Sequence, residues 1–195
     1  MIAGIILAAG ASTRMGSPKA LLKIGAKTFL QHIVEELQKA NISEIVIVLG
    51  ANAEKIQQEH LSLREKIIIN HNWQQGQLSS LLAGINCIEK KNIDGVIVCP
   101  VDHPLISAKL ISEMMQTFYS SKKKIIIPVF NKQRGHPVIF AKELFEEIKN
   151  APLEIGARGV LKNFSGEISD VSTKEQGILL NIDTKKKYEE IFFNE

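Results

Sequence analysis

Residues 2–19 read IAGIILAAGASTRMGSPK, an apolar run that passes directly into a loop of small and basic residues. A continuous apolar run of this length, rich in β-branched residues, predicts a strand that is buried on both faces of a sheet. The small residues after it let the backbone approach a ligand, and Arg14 and Lys19 add two positive charges. The stretch therefore predicts a buried parallel strand with an anion-binding loop at its carboxyl end.

The same alternation of apolar runs and helical spacing continues along the chain. Further strands are predicted at Glu44–Leu49, Lys66–Asn70, Gly95–Cys99 and Lys124–Pro128, after a first one at Ile2–Leu7. Helices are predicted between them at Thr28–Ala40, Ala53–His60, Leu78–Glu89 and Ser107–Tyr119. Repeated strand–helix–strand units predict an α/β fold of three layers, α/β/α, with a doubly wound, mainly parallel, Rossmann-like sheet. Ligands of such sheets bind beyond the carboxyl ends of the strands.

The last third of the chain has a looser pattern. It predicts a turn at Asn131–Gly135, strands at Val138–Phe140 and Ile178–Asn181, and helices at Lys142–Lys149 and Thr184–Phe193, the last with Thr184 as its N-cap. No repeat or linker divides the sequence, so we expect residues 1–195 to form a single domain.

Composition excludes several classes of protein. The chain has 195 residues, of which 45% are hydrophobic and 23% charged, as is usual for a globular protein. The net charge is only +3, and the basic triplets at 122–124 and 185–187 lack interleaved aromatic residues, which argues against nucleic-acid binding. No apolar run approaches the roughly 18 residues that span a bilayer. We therefore expect a cytoplasmic protein without a membrane or nucleic-acid partner.

Cysteine and arginine usage refine this picture. Cys87 and Cys99 lie inside apolar runs without metal-ligand spacing, which predicts buried thiols. Only four of the 24 basic residues are arginines, and in so lysine-rich a chain an arginine suits bidentate binding of phosphate or carboxylate. These are Arg14, Arg64, Arg134 and Arg158.

The loop after the first strand differs from two common phosphate-binding loops. It has neither the Gly-Lys-Ser/Thr of a Walker A motif nor the GxGxxG of a dinucleotide fold, which argues against P-loop ATP hydrolysis and hydride transfer. The alternative without function is a glycine-containing strand-to-helix connection with surface cations.

Five motifs carry a resemblance to one family. Residues 7–19 resemble the LAAGxSxRMGxxK signature of MobA-like NTP transferases, which have a nucleotide-diphospho-sugar transferase fold, and within them the molybdenum cofactor cytidylyltransferases. The other matches, in order, are NWxxGxxxSL at 72–81, DxP at 102–104, GHPV at 135–138 and NIDT at 181–184. Five motifs in the right order form a specific signal.

The resemblance implies transfer of CMP from CTP to the phosphate of molybdenum–molybdopterin, with release of pyrophosphate. A phosphate nucleophile is already anionic at neutral pH, so catalysis can consist of positioning and charge neutralisation. The expected cofactor is Mg²⁺. The expected partners are CTP, the molybdopterin cofactor and a molybdenum hydroxylase apoenzyme that receives the product.

The resemblance also assigns the charged residues of the site. Arg14, Lys19 and Asp102 are the expected catalytic residues, with Arg14 and Lys19 holding the triphosphate. Asp102 and Asp183 are the expected Mg²⁺ ligands, since this ion takes one or two carboxylates together with substrate phosphates. Either aspartate also suits a turn or a helix cap.

The expected nucleotide site draws on three loops. Ala9, where guanylyltransferase relatives have glycine, resembles the members that use pyrimidine nucleotides. Gly50 equally fits a turn, Ser80 fits a helix cap, and Trp73 fits either a stacking surface or a loop anchor. The nucleotide-binding residues are Ala8, Ala9, Gly10, Ser12, Arg14, Lys19, Gly50, Gly76 and Ser80.

The second substrate is expected to contact Arg134, Gly135, His136 and Arg158. His136 also fits a hydrogen-bonded turn histidine. Residues 156–158 resemble the end of the family's LxGDxGAR motif, but Leu153 and Glu154 stand where Gly-Asp is usual. Glu154 keeps the negative charge, while loss of the glycine stiffens the loop.

Two other functions fit the same residues. One is nucleotide transfer from CTP, GTP or UTP to a sugar or polyol phosphate. The other is a non-catalytic carrier that delivers the molybdenum cofactor.

Overall fold

The structure is a computed structural model that describes residues 1–60 and 65–193; Arg64 lies outside them. Its strands are β1 Ile2–Ala8, β2 Lys23–Ile24, β3 Lys27–Thr28, β4 Ile45–Leu49, β5 Lys66–Ile69, β6 Gly95–Pro100, β7 Ile125–Phe130, β8 Gln133–Arg134, β9 Val138–Ala141 and β10 Ile168–Ser172. Its α-helices are α1 Phe29–Lys39, α2 Ala53–Glu59, α3 Gln77–Ile88, α4 Ala108–Ser121, α5 Phe145–Lys149, α6 Ala157–Asn163 and α7 Lys185–Phe192.

One mixed sheet organises the fold. Its strand order is β10-β7-β9-β6-β1-β4-β5, and β8 pairs with β7 as a short hairpin arm. The pairs β6–β1, β1–β4 and β4–β5 are parallel, as is β7–β10, whereas β9 runs antiparallel to both β6 and β7. The expectation of a three-layer α/β fold with a mainly parallel sheet is confirmed.

Both faces of the sheet are covered by helices. Along β1, Ile2 and Ile6 belong to one buried cluster, which α1, α4 and α7 help to cover. Ile5 and Leu7 point to the other face and belong to a second cluster with α3, α5 and α6. This double burial explains why β1 is apolar at every position.

Local capping explains where several helices begin. Thr28 and Gln31 form a reciprocal capping box at α1. Ser107 accepts a hydrogen bond from the first turn of α4, and Thr184 caps α7 as the sequence predicts. The predicted bounds of these helices are within two residues of the observed ones.

The prediction of a strand at Ile178–Asn181 is wrong. Residues Gln176–Leu179 form a 3₁₀ turn instead. Close packing fixes this turn, because a Cβ on Gly177 would lie 2.2 Å from the carbonyl oxygen of Leu105. The carbonyl of Ile178 accepts the His136 N–H at 3.0 Å rather than pairing in a sheet ladder.

Strand β10 and helix α6 have no counterpart in the sequence prediction, nor do the two-residue strands β2, β3 and β8. Strand β10 pairs only with β7, at the edge of the sheet, so its partly exposed sequence ISDVS lacks a strong apolar pattern. Helix α6 has only seven residues, and Val160 is the one that it fully buries, so its apolar pattern is short. The predicted turn at Asn131–Gly135 is a tight hairpin, with Asn131 and Lys132 in left-handed conformation at its tip.

Within the described residues, no helix has the length and apolar character needed to cross a membrane.

Candidate active site

A cavity of about 570 Å³ opens at the carboxyl ends of β1 and β6. The loops after β1, β5 and β6 line it, together with the segment that precedes α7. Twelve of the residues predicted from the sequence lie in its wall: Ala8, Ala9, Gly10, Ser12, Arg14, Lys19, Gly76, Ser80, Asp102, His136, Arg158 and Asp183. The fold thus gathers groups that are up to 175 residues apart in sequence, from Ala8 to Asp183.

The loop between β1 and Lys19 is fixed by its own hydrogen bonds. Ser12 adopts a left-handed conformation, with φ of 55°, and its Oγ accepts the backbone N–H of Lys19 at 3.1 Å. The Ser12 carbonyl accepts the N–H of Met15 at 2.9 Å. Ser12 therefore closes the loop and sets the point from which the Lys19 side chain returns toward the sheet edge.

Lys19 joins the two predicted metal ligands. Its Nζ donates to Asp102 Oδ2 at 3.1 Å and also to Asp183. The Lys19 side chain is only 13% exposed, against 71% for Arg14, whose guanidinium lies 3.5 Å from Asp183. Lys19 is thus a mostly buried cation and Arg14 an exposed one. Both lie beside two carboxylates that face the same cavity.

Asp183 is held in its charged form. Burial alone would raise the pKa of its carboxyl, but the hydrogen bond and charge of Lys19, aided by Arg14, outweigh burial and the net shift is downward. A carboxylate that stays ionised at neutral pH can bind a cation without first losing a proton.

The donor atoms beside Lys19 fit a hard divalent cation. Two carboxylates already accommodate a positive charge, and Asn181 Oδ1 in the same cavity is buried without a hydrogen-bond partner among the described residues. Oxygen donors of this kind suit Mg²⁺. Across residues 1–60 and 65–193, no cluster of three or more His, Cys, Asp or Glu forms a complete metal cage. A cation held here would complete its coordination with waters and substrate phosphates.

Gly50 lies behind the loop rather than in the cavity wall. A Cβ there would come within 2.6 Å of the Ala9 carbonyl oxygen and 2.8 Å of Trp73 Cβ. Ala51 also donates its N–H to that carbonyl at 3.0 Å. Gly50 thus lets two loops approach each other, so its contribution to the site is to support Ala9 and Trp73.

The start of α3 forms the opposite wall. Gly76 precedes the helix with φ of 95°, and Ser80 Oγ accepts a hydrogen bond from Asn70 Nδ2 at 3.0 Å. The Asn70 amide also donates to Ser79 Oγ at 2.8 Å. Both hydroxyls are thereby tied to Asn70, and Ser80 remains in the cavity wall.

A second cavity of about 570 Å³ adjoins the first. The two share five lining residues: Leu7, Gly76, Gln77, His136 and Arg158. The second cavity is walled largely by aliphatic and aromatic side chains from the sheet and from α3, such as Leu81, Val98, Ile127 and Phe140. Leu153 and Glu154, where the sequence departs from the family motif, form its exposed rim together with Ile155.

The two arginines predicted for the second substrate differ in environment. Arg134 makes a two-pronged ion pair with Asp170, with Nε 2.8 Å from Oδ1 and the second contact at 3.1 Å. Arg158 lines both cavities and forms no salt bridge among the described residues. Arg158 is thus the arginine that is available to a ligand at the junction.

Comparison with known proteins identifies the family. The sequence model of the MobA-like NTP transferase domain matches residues 4–171. The chain belongs to this family. It is therefore a nucleotidyltransferase-family protein, and the predicted resemblance is confirmed at that level.

Individual relatives of this MobA-like chain carry different names. It is 28% identical to nicotine blue oxidoreductase from Paenarthrobacter nicotinovorans over 94% of this chain and 92% of the relative. It is also 28% identical to a probable molybdenum cofactor guanylyltransferase from Bacillus mycoides, over 95% and 93%. The crystal structure of Rv0371c from Mycobacterium tuberculosis superposes with a TM-score of 0.83 at 22% identity, covering 99% of this chain and 97% of that one. The last likeness shows a shared fold.

Sequence reasoning gave no role to His103 and Asn181 of this MobA-like chain, although both line the first cavity. The rings of His103 and His136 lie against each other, with centroids 4.6 Å apart. Burial, reinforced by His103, lowers the pKa of His136 to about 4, so the ring is uncharged at neutral pH. The sequence does indicate both residues by their neighbours, because His103 follows Asp102 directly and Asn181 stands two residues before Asp183.

Proposed function

We propose that this chain transfers CMP from CTP to the phosphate of molybdenum–molybdopterin and releases pyrophosphate. The observation that carries the proposal is the shared cavity wall in which Lys19 and Arg14 face Asp102 and Asp183. Such a set of cations and carboxylates suits a triphosphate with its metal, and residues 1–195 would act as one catalytic unit.

Charge neutralisation is the main task of these residues. Lys19 and Arg14 would bind triphosphate oxygens and stabilise the negative charge that develops on departing pyrophosphate. Asp102 and Asp183 would hold Mg²⁺, which supplies further neutralisation of the phosphates when bound. Because the acceptor phosphate is already anionic, no side chain needs to remove a proton from it. The loop from Ala8 to Ser12 would fix the nucleotide through backbone contacts.

Ala9 supports CTP over GTP. Ala9 lies in the wall of the first cavity and is 4% exposed. A methyl group at this tightly packed position reduces the space beside the base, which favours the smaller pyrimidine. The Bacillus mycoides relative is named a probable molybdenum cofactor guanylyltransferase. This name supports the proposed acceptor, whereas the base that it names is guanine.

Pyrophosphate release is the decisive measurement. Purified chain, Mg²⁺ and molybdenum-loaded molybdopterin would be incubated with CTP, GTP, ATP or UTP in parallel. We expect turnover with CTP; turnover with GTP alone would overturn the choice of base. Pyrophosphate is a product of nucleotidyl transfer and not of an oxidation–reduction reaction, so its formation also separates this function from that named for the Paenarthrobacter nicotinovorans relative.

Two other outcomes would point to the remaining functions. Turnover with sugar or polyol phosphates but not with molybdopterin would replace the acceptor. Asp102→Asn separates catalysis from cofactor delivery. If the variant folds and still activates a molybdenum hydroxylase apoenzyme, the chain is a carrier.

A further inference from the structure

His136 occupies the boundary between the two cavities. Of the five residues that line both, Leu7 and Gly76 have no hydrogen-bonding side chain, and His136, Arg158 and Gln77 do. A nucleophile that attacks a nucleotide in the first cavity from the second must pass its reacting oxygen through this boundary. Its polar side chains are therefore placed to contact the reacting end of the acceptor.

The position of the His136 ring is fixed from two sides. Its backbone N–H donates to Ile178 O at 3.0 Å, and the preceding Gly135 donates to Pro128 O at 2.9 Å. The His103 ring packs on its face at 4.6 Å between centroids and an interplanar angle of 53°. His103 in turn follows Asp102, whose carbonyl accepts the N–H of Ile182 at 2.8 Å. The imidazole thus sits in a framework that also holds both carboxylates.

The surroundings of the two ring nitrogens of His136 indicate which of them carries the proton. His136 Nδ1 is buried and has no partner among the described residues, and it is the only ring nitrogen of His136 in that condition. A buried N–H without an acceptor is rarer than a buried acceptor without a donor, which favours the tautomer with its proton on Nε2. That N–H can donate to an oxygen of a ligand at the boundary.

We propose that His136 orients the acceptor's phosphate by donating a hydrogen bond from Nε2, beside the cationic Arg158, and that His103 is the positioning residue that holds its ring. The inference rests on the proposed function in taking the acceptor to be a phosphate monoester. An uncharged donor aligns the attacking oxygen without withdrawing as much negative charge from it as another cation would. The second cavity would take the ring system of the acceptor, with its aliphatic wall packed against the ring face.

Phenyl phosphate is a simple probe for this arrangement, because it joins a phosphate monoester to a flat apolar ring. Its binding to the full chain would be measured by ³¹P NMR titration, and CTP–Mg²⁺ binding by the fluorescence of Trp73, the only tryptophan, which lines the first cavity. We expect His136→Leu to weaken phenyl phosphate binding about tenfold or more, as loss of a hydrogen bond to a charged group does. The affinity for CTP–Mg²⁺ should stay within about twofold of the wild-type value, because the change removes no hydrogen bond to the nucleotide.

Three further variants make the test specific. His136→Gln keeps a donor and should retain most of the affinity for phenyl phosphate. His71→Leu removes an exposed histidine outside both cavities and should have no effect. His103→Leu should weaken binding less than His136→Leu does, and should add nothing in the double variant, because it acts through His136.

Several results would overturn the inference. These are no binding of phenyl phosphate by the wild type, unchanged binding by folded His136→Leu, equal loss of CTP and phenyl phosphate affinity, or additive effects of the two histidine changes. If His136→Leu does not fold, His136→Gln provides the test. A loss of phenyl phosphate affinity in His136→Gln that equals or exceeds the loss in His103→Leu would contradict a donor role. The proposed function fails on a different result, the absence of pyrophosphate in the nucleotide panel, so the two failures are distinguishable.

Discussion

Lys19 Nζ lies 3.1 Å from Asp102 Oδ2, and the same ammonium group is bonded to Asp183. One side chain from the loop after β1 therefore bridges both of the carboxylates that the sequence prediction assigns to a metal. A divalent cation and Lys19 would compete for these oxygens, whereas the triphosphate offers Lys19 an alternative partner. The site can thus exchange one counter-ion for another without exposing an unpaired carboxylate.

Replacing Lys19 with methionine should change metal and nucleotide binding in opposite directions. Without the competing ammonium, Mn²⁺ alone should bind several-fold more tightly in a calorimetric titration. CTP–Mg²⁺ should bind about tenfold more weakly, since a charge-assisted contact to the triphosphate is lost. Lys23→Met, at an exposed lysine in β2, is the matched control. Equal weakening of both ligands would contradict the exchange.

The central part of this fold was predictable because its signals are local. The β1 run is apolar at every position, and Thr28, Ser107 and Thr184 mark where helices begin. Burial on both faces and N-capping are properties of a few adjacent residues. Such elements can be predicted without knowledge of their neighbours.

The errors lie where distant contacts decide the conformation. Ile178 is apolar and flanked by apolar residues, but packing of Gly177 against Leu105 turns the segment away from the sheet. Strand β10 depends on its pairing with β7 at the sheet edge. Lys19 pairs with two aspartates that are 83 and 164 residues away. The topology of the fold brings these residues together, and no local spacing in the sequence predicts the contact.

His136 should make the stability of the protein depend on pH. Burial lowers its pKa to about 4 from the ordinary value of 6.5, so the unfolded state binds a proton that the native state does not. The free energy of unfolding should therefore decrease as pH falls from about 6.5 to 4, by at most about 3 kcal/mol from this group. Urea unfolding at pH 4.5 and 7.5 measures the change. His136→Gln should show a smaller loss between the two pH values; an identical loss would mean that other groups cause it.

Ala9→Gly should relax the choice of base. Removing this methyl group enlarges the space at the wall of the first cavity, where a larger purine would need room. We expect kcat/KM with GTP to rise relative to CTP by about tenfold, the lower end of the usual range for one methyl-sized change in a binding pocket. Ala11→Gly, in the same loop, is the control for added loop flexibility. A larger shift in the control than in Ala9→Gly would remove the steric explanation.

Gly135→Ala should destabilise the junction between the hairpin and the 176–179 turn. A Cβ there would lie 2.4 Å from the carbonyl oxygen of Ile178, so backbone must move to accept it. We expect a loss of about 2 kcal/mol, as for other overpacked sites, and a fall in Tm of roughly 6 °C for a chain of this size. Gly166→Ala adds the same methyl group to open space and should leave Tm nearly unchanged. Similar Tm values for the two variants would show that the close packing at Gly135 is absent in solution.

The two arginines of the second-substrate site should have unequal effects on acceptor binding. Arg134 is occupied by Asp170 in a two-pronged pair, although both side chains are nearly half exposed, whereas Arg158 faces the junction of the cavities. We expect Arg158→Ala to weaken phenyl phosphate binding about tenfold, the effect of losing a charge-assisted hydrogen bond. Arg134→Ala should change it by less than about threefold, in keeping with an exposed ion pair that contributes little.

Asp170→Asn sharpens the comparison of these arginines. It releases Arg134 from its carboxylate partner without removing the guanidinium, so any latent capacity of Arg134 for phosphate should appear as tighter binding. Arg158→Lys keeps the charge but loses the planar fork, and should lie between wild type and Arg158→Ala. A greater loss in Arg134→Ala than in Arg158→Ala would mean that the acceptor breaks the Asp170 pair on binding. Arg134 would then be the principal anchor of the acceptor phosphate.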